Sequence, residues 1–286
     1  MTGQETTVIG KISYTNSWPV YHGFDCASLG FPARMLSEVP SELNRGMQEG
    51  TIHIGALSSF AYAEASDRLL LLPDLSVSAE GPVGSILLFT RGPLESAPLN
   101  TVAVTRTSAT SVNLLKILMH YALGRSPAYR TAEPDLTAMM ASADACLLIG
   151  DHAIRADWDR SGYTVTDLGQ LWKDFTGCSM TFAVWAVSRS AAASRPERLA
   201  AVSDAFRTSK RRNLEDLSGV VQAACAAVGG VADYWYSYFR HLCYDFGERQ
   251  QEGLNLYFRY AHELGLLPKR VKMELWRDNL LTRVKE

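Results

Sequence analysis

Short apolar stretches of strand character alternate with helical stretches from residue 8 to residue 189, and this alternation limits the possible folds more than any other feature. A strand at 8–14 (VIGKISY) is followed by a helix at 40–49, a strand at 53–58 (HIGALS) and a helix that begins at Ser58 or Ser59. Strands that alternate with helices form mostly parallel sheets covered on both faces. The sequence therefore predicts an α/β fold.

A second α/β unit begins with the stretch TVAVT, and two mainly apolar stretches, SILLFTR and TFAVWAVSR, flank it. We expect these two stretches to be the strands where the chain crosses between two lobes. Lobe I is then discontinuous, with residues 1–92 and 188–286, and lobe II comprises residues 93–187. In open sheets of this kind ligands bind beyond the carboxyl ends of the strands, so a ligand cleft is expected between the lobes.

The chain after Arg195 has helical spacing with breaks at glycine and proline. The predicted helices are 196–213, 216–228, 231–243, 247–265 and 268–284. The C-terminal region is therefore expected to be helical.

Charge and composition exclude several classes of function. The chain has 28 Lys and Arg against 30 Asp and Glu, a formal net charge of -2, so it has no cationic excess for binding nucleic acid or a membrane surface. Its apolar runs are shorter than the ~20 residues that span a bilayer. The N-terminus has no basic segment followed by an apolar one, which favours a cytoplasmic location.

The cysteines and histidines argue against a metal site and against disulfide bonds. The five cysteines include no closely spaced pair, and the six histidines show no metal-ligand spacing. No P-loop or GxGxxG segment follows a strand. The sequence predicts no bound metal.

Hydroxyl and amide side chains stand at three places where a predicted strand ends and a helix or turn begins. They are Asn16-Ser17, Ser58-Ser59 and the stretch 107–111, which contains Ser108, Thr110 and Ser111. Such residues are ordinary N-caps or Asx turns, but a helix N-terminus with several hydroxyls also suits a carboxylate or phosphate. The cluster at 107–111 exceeds what one cap requires and predicts an anionic ligand.

Two further positions are candidates for the same cleft. Ser85 follows the glycines of the stretch 81–84, where the backbone can approach a ligand closely. Asp151 follows a predicted strand and either caps the next helix, binds a substrate hydroxyl or acts as a base. His152 is the histidine nearest to the predicted cleft.

Seven segments in order along the chain resemble the chorismate dehydratases of the futalosine route to menaquinone. They are IGKISYTNSWPVY, EGTIHIGALSSFAYA, GPVGSILLFTR, TRTSATSVNLLKIL, LLIGDHAI, DLGQLWKDFTGCSMTFAVW and ERQQEGLNLYFRYAHELGLL. The resemblance runs from about residue 8 to residue 267. The sister enzymes that make 1,4-dihydroxy-6-naphthoate typically open with an SPCPNDTF-like segment, from which TNSWPVY departs.

The resemblance implies a periplasmic-binding-protein-like type II fold with two α/β lobes and a substrate cleft between them. It also implies a carbon–oxygen hydro-lyase that converts chorismate to 3-[(1-carboxyvinyl)oxy]benzoate without a metal or organic cofactor. Transferred by position, Asn16 is the catalytic residue. The substrate-binding residues are Ser59, Ser85, Ser108, Thr110, Ser111 and Asp151. The sequence departs from the family at His53, often Asp, and at Ser179-Met180, which replace a proline-containing turn.

Chorismate is a dianion, and the proposed site offers hydroxyls and helix termini for its carboxylates. An amide is not basic, so Asn16 is expected to orient the leaving hydroxyl or the enolpyruvyl carboxylate. The proton acceptor is the enolpyruvyl carboxylate of the substrate, Asp151 or His152. The rival functions are a 1,4-dihydroxy-6-naphthoate synthase-like sister enzyme and a solute-binding protein of the same fold; the sequence leaves the oligomeric state open.

Overall fold

The computed structural model describes residues 6–38, 40–106, 108–159 and 162–277, and it contains two five-stranded sheets. The first sheet contains β1 (Thr7–Ile12), β2 (Ala33–Glu38), β3 (Ile54–Ser58), β4 (Leu69–Ala79) and β10 (Met180–Ser188), in the order β2-β1-β3-β10-β4. The second contains β5 (Ile86–Thr90), β6 (Thr101–Val104), β7 (Ala128–Thr131), β8 (Ala145–Ile149) and β9 (Thr164–Asp167), in the order β7-β6-β8-β5-β9. Each sheet forms the centre of one lobe, as the α/β pattern predicts.

The helices cover the faces of both sheets. They are α1 (Trp18–Tyr21), α2 (Pro40–Glu49), α3 (Ser59–Glu64), α4 (Ala109–Ile117), α5 (Leu136–Ser142), α6 (Asp151–Trp158), α7 (Leu168–Thr176), α8 (Arg189–Ser194), α9 (Pro196–Glu215), α10 (Ser218–Val228), α11 (Ala232–His241) and α12 (Glu248–Glu263). The last four confirm four of the five predicted C-terminal helices. The aromatic residues of α11 that are buried, Trp235, Tyr238 and Phe239, belong to the larger hydrophobic core.

The predicted helix at 268–284 is wrong over its described part. Residues 271–277 contain no helix, and their backbone pairs with the edge strand β4: the Leu71 N–H donates to the Glu274 carbonyl and the Trp276 N–H donates to the Leu71 carbonyl. Edge strands expose unpaired backbone groups, and pairing with them competes with helix formation. Residues 278–284 lie outside the described residues.

The sheets are mixed rather than mostly parallel. The strand β1 runs parallel to β2 and β3, whereas β10 runs antiparallel to β3 and β4. In the second sheet β5 runs antiparallel to β8 and β9. One strand in each sheet therefore opposes the direction of its neighbours.

The observed pairing of β5 and β10 places both lobe boundaries at other positions than the sequence predicts. The strand β5 belongs to the second sheet and β10 to the first, so the chain crosses between the lobes at 80–85 and at 177–179. The boundaries expected at 92/93 and 187/188 assigned each strand to the opposite lobe. Every residue of β5 and of β10 is buried, and such strands carry no alternation that indicates which sheet they join.

Helix α12 packs tightly on the second crossing, and Gly253→Ala is expected to lower the free energy of unfolding by about 2 kcal/mol. A Cβ at Gly253 would lie 2.0 Å from the Ser179 carbonyl oxygen, which also accepts a hydrogen bond from Trp172. Alanine has a higher helix propensity than glycine, so a lower free energy of unfolding in this variant must come from the clash. Urea unfolding measures the change. Gly92→Ala is the control because its Cβ would meet nothing within 4 Å; equal stabilities of the two variants would contradict the packing.

Candidate active site

A cavity lies between the two sheets, where β1, β3 and β8 end and β5 begins. It is lined by Ile12, Tyr14, Asn16, Ser58, Ser85, Ile86, Ser108, Ser111, Ile149, Gly150, Phe182 and Ala183. The space between these residues that no atom occupies, including the mouth, is about 410 Å³.

The lining combines apolar walls with uncharged polar groups. The walls are Ile12, Ile86, Ile149 and Phe182, and no lysine, arginine, histidine, aspartate or glutamate is among the described residues that line the cavity. The polar atoms come from serine hydroxyls, a tyrosine and one amide. This lining suits a small ring that carries several hydrogen-bonding substituents.

Asn16 lies in a short 3-10 turn, Thr15–Ser17, directly after β1. The Ser17 hydroxyl donates to the carbonyls of Ile12 and Tyr14, both at 3.1 Å, and so holds the turn against the end of the strand. The Asn16 Oδ1 atom is buried and has no hydrogen-bond partner among the described residues. A buried amide oxygen without a partner is costly, so a ligand that donates a hydrogen bond here satisfies it.

Ser108 and Ser111 lie at the N-terminus of α4 and line the cavity together. The Ser108 Oγ caps the helix by accepting from the Ser111 N–H at 3.4 Å, and the two Oγ atoms are 3.2 Å apart. The first turn of a helix leaves N–H groups without intrahelical partners and carries the positive end of the helix dipole. This wall can therefore accept an anionic group. Thr107, part of the predicted cluster, lies outside the described residues.

Two more serines present hydroxyls to the cavity. Ser85 ends the first crossing, and its Oγ accepts a hydrogen bond from the Tyr238 hydroxyl of α11 at 3.0 Å. Ser58 ends β3 and caps α3 by accepting from the Ala61 N–H at 3.3 Å. Ser58 lines the cavity, whereas the serine expected from the sequence to bind substrate is its neighbour Ser59.

Ser59 and Thr110, both expected to bind substrate, are fully buried and are not among the residues that line the cavity. The Ser59 hydroxyl donates to the Thr181 carbonyl at 2.7 Å. The Thr110 Oγ1 accepts from the Phe60 N–H at 2.9 Å and so joins α4 of lobe II to α3 of lobe I. Both hydroxyls are occupied by contacts within the protein, which removes them from the set we propose for substrate binding.

Asp151 and His152, the two candidate protein bases, also lie outside the lining. The Asp151 carboxylate accepts hydrogen bonds from the Thr15 hydroxyl at 2.5 Å and from the Thr15 N–H at 3.4 Å. Burial raises the pKa of this carboxyl above its ordinary value, and the bonds from Thr15 oppose the rise. His152 is exposed on the surface of α6.

The two departures from the family pattern have structural partners. The His53 Nδ1 atom accepts from the Val8 N–H at 2.9 Å, beside the pairing of β1 with β3. The Ser179 hydroxyl donates to the Arg249 carbonyl at 2.9 Å and joins the second crossing to α12. Neither residue is among those that line the cavity, where Phe182 and Ala183 stand instead.

The described part of the chain contains neither a metal-binding cluster nor a membrane-spanning helix. No group of three or more His, Cys, Asp or Glu side chains there is arranged to hold a metal ion. No helix there combines the length and the apolar character that crossing a membrane requires.

Comparisons with known proteins agree with this geometry. The solved structure of protein AF1704 from Archaeoglobus fulgidus superposes with a TM-score of 0.73 at 17% identity, covering 93% of this chain and 100% of that chain. The periplasmic aliphatic sulphonate binding protein SsuA from Escherichia coli superposes with a TM-score of 0.70 at 15% identity, covering 96% of this chain and 92% of that chain. At these identities the likeness shows the fold alone, which is periplasmic-binding-protein-like, as predicted.

Sequence comparison is more specific than the fold. A family model described as menaquinone biosynthesis matches residues 7–263. The chorismate dehydratase of Thermus thermophilus is 35% identical over an alignment of 274 positions, which covers 91% of this chain and 95% of that protein. With a match of this extent and a relative of this similarity, the chain belongs to the menaquinone-biosynthesis family, as a relative of chorismate dehydratase.

Proposed function

We propose that this protein is a chorismate dehydratase, a carbon–oxygen hydro-lyase that converts chorismate to 3-[(1-carboxyvinyl)oxy]benzoate and water. The observation that carries the proposal is the buried Asn16 Oδ1 in the wall of the cavity between the lobes, which has no hydrogen-bond partner in the described part of the chain. The dehydratase relative and the menaquinone-biosynthesis family model support it. We further propose that the enzyme acts in the cytoplasm, in the futalosine route to menaquinone.

Chorismate offers a flat ring to the apolar walls of the cavity and two carboxylates to its hydrogen-bond donors. The flat ring packs between the apolar walls, and a carboxylate lies at the first turn of α4, where Ser108 and Ser111 donate hydrogen bonds. Ser58 and Ser85 also line the cavity, and we assign their hydroxyls to the second carboxylate. The Ser85 hydroxyl would exchange its long hydrogen bond to the Val83 carbonyl, 3.5 Å, for this one. Uncharged donors hold the dianion without neutralising it, which leaves the substrate carboxylates basic.

The role of Asn16 follows from hydrogen-bond chemistry. The Oδ1 atom needs a donor; a carboxylate has none, whereas the hydroxyl on carbon 4 of chorismate does. Of the two roles expected from the sequence, orientation of the leaving hydroxyl therefore fits better. The amide N–H₂ group can donate to the same oxygen as negative charge develops on it.

The elimination balances without an oxidant or reductant. Removal of the proton from carbon 3 leaves its electron pair delocalised through the ring alkene into the ring carboxylate as a dienolate. That pair then forms the double bond between carbons 3 and 4 as the bond from carbon 4 to oxygen breaks. The leaving hydroxide takes up the abstracted proton, so one water is released and the ring becomes aromatic. The protein orients the ring, stabilises the developing charge and excludes bulk water.

We propose the enolpyruvyl carboxylate of the substrate as the proton acceptor. It is attached through oxygen to carbon 3, so it reaches that proton within the same molecule. Asp151 is engaged by Thr15, and His152 is exposed on α6. Neither lines the cavity, so both protein alternatives fit less well.

Incubation of the purified protein with chorismate tests the proposed function. We expect chorismate to be consumed and a product 18 mass units lighter to form, since that is the mass of water, with the ultraviolet spectrum of a substituted benzoate. Cyclic dehypoxanthine futalosine is the second substrate offered. Conversion of that compound with no conversion of chorismate would identify the sister activity, and high-affinity chorismate binding without turnover would identify a binding protein.

A further inference from the structure

Helix α6 of lobe II contacts lobe I and the C-terminal helices at its beginning, middle and end. Asp151 at its first residue accepts hydrogen bonds from Thr15. Arg155 in its second turn donates to the carbonyls of Ala227 and Val228, the last residues of α10. Trp158 at its last residue stands edge-on to aromatic rings of α11. These contacts join parts of the chain that are far apart in sequence.

The contact at the beginning of α6 lies directly beside the cavity. Gly150 and Tyr14 both line the cavity, and a Cβ at Gly150 would lie 3.0 Å from the Tyr14 ring, so this ring lies close against the Gly150 backbone. The next residue on each side forms the Thr15–Asp151 pair, in which Thr15 is fully buried. The residue after Thr15 is Asn16, so the pair adjoins the group that we place at the leaving hydroxyl.

The contacts at the middle and end of α6 hold the helix in place. The guanidinium of Arg155 donates from Nε to the Val228 carbonyl at 3.2 Å and from Nη2 to the Ala227 carbonyl at 3.3 Å, at the negative end of α10. The Trp158 ring centroid lies 5.2 Å from that of Tyr234 and 6.1 Å from that of Trp235. Because Arg155 and Trp158 both hold α6 against the C-terminal helices, the N-terminus of α6 has a defined position against the Thr15–Ser17 turn.

We propose that Asp151 is a positioning residue that fixes the Thr15–Ser17 turn against lobe II, so that closing of the lobes sets the position of the Asn16 amide. This inference rests on the proposed function, because it assigns Asp151 a part in the same reaction. The Thr15 bonds exist only when the lobes are together, since the two residues belong to different lobes. A displacement of about 1 Å at a reacting group can cost about 100-fold in rate. The pair therefore couples closure of the cleft to placement of the amide.

The test uses Thr15→Val, which keeps the shape of the side chain and removes the hydroxyl, together with Asp151→Ala and the double variant. We expect each single variant to lower kcat for chorismate by about 10- to 100-fold, with a smaller change in KM. The double variant should be no slower than the slower single variant, because both remove the same interaction. Thr15→Ser keeps the hydroxyl and should retain kcat within about threefold of the wild type.

Hydrogen exchange of the segment 13–18 without substrate provides a measurement that does not depend on activity. The Thr15 amide is one of the donors to Asp151, so Asp151→Ala should increase exchange in this segment. Asp159→Ala is the matched control, because it makes the same chemical change at the exposed residue that directly follows α6; we expect wild-type exchange and wild-type kcat.

The two measurements separate this inference from the proposed function. A wild-type protein that does not convert chorismate overturns the proposed function, while increased exchange at 13–18 in Asp151→Ala still supports the attachment of the turn to Asp151. Unchanged exchange in that variant overturns the inference whatever the activity. In an active enzyme, single variants within threefold of wild-type kcat, or a double variant whose loss is the product of the single losses, also overturn it.

Discussion

Asn16→Leu is expected to lower kcat for chorismate by about 10³-fold, the upper range for removal of one preorganised hydrogen-bonding group at a reacting oxygen. Leucine has nearly the size of asparagine but neither accepts nor donates a hydrogen bond. The leaving hydroxyl then has no partner at this wall of the cavity. Single-turnover kinetics with chorismate measures the loss in the chemical step.

The same variant should fold normally. The Asn16 Oδ1 has no partner among the described residues, so replacing the amide breaks no hydrogen bond that this atom makes within them. We expect a melting temperature within about 3 °C of the wild type, a change below about 1 kcal/mol. Asn100→Leu makes the same chemical change at an exposed position and serves as the control for both measurements. An Asn16→Leu enzyme that keeps a tenth of wild-type kcat contradicts the assigned role.

Asp167→Ala is expected to have the largest effect on stability, lowering the free energy of unfolding by about 3 kcal/mol. The carboxylate accepts from the N–H groups of Val83 and Gly84 in the first crossing, at 3.0 and 2.7 Å. It also accepts from Gly169 and Gln170 in the first turn of α7, at 2.8 and 3.2 Å. Alanine leaves all four donors without this partner, and the crossing that presents Ser85 to the cavity loses its attachment to α7.

Asp135→Ala separates this effect from ordinary capping. Asp135 is exposed and caps α5 with a single bond, from the Ala138 N–H at 2.7 Å. Loss of a single cap costs about 1 kcal/mol. Urea unfolding of both variants should therefore give a clearly larger loss for Asp167→Ala. Equal losses would show that the bonds to the crossing contribute nothing.

Four of the residues selected from the sequence line the candidate cavity. Asn16, Ser85, Ser108 and Ser111 all line the cavity, because each lies where a strand meets a turn or helix and such ends gather at one edge of a sheet. Ser58 and Ser59 show the limit of this argument. Side chains of successive residues point in different directions, and nothing in the sequence indicates which of two adjacent serines faces the ligand.

Contacts between the lobes could not be predicted from the sequence. Thr110 bonds to Phe60, and Asp151 bonds to a residue 136 positions away, so both side chains are engaged by partners that only the folded chain brings near. The lobe boundaries fail for a related reason, since the crossing strands are buried on both faces. The C-terminal segment pairs with an edge strand whose position depends on the whole sheet.

The central claim is that the cavity between the lobes holds chorismate with its ring between the apolar walls and its hydroxyl at residue 16. A crystal structure of the slow Asn16→Leu variant with chorismate tests this claim most directly. We predict a carboxylate at the Ser108 and Ser111 hydroxyls, the ring against Ile86 and Phe182, and the carbon 4 hydroxyl facing residue 16. Chorismate bound elsewhere on the protein, or bound in the cavity with its hydroxyl turned away from residue 16, would contradict it.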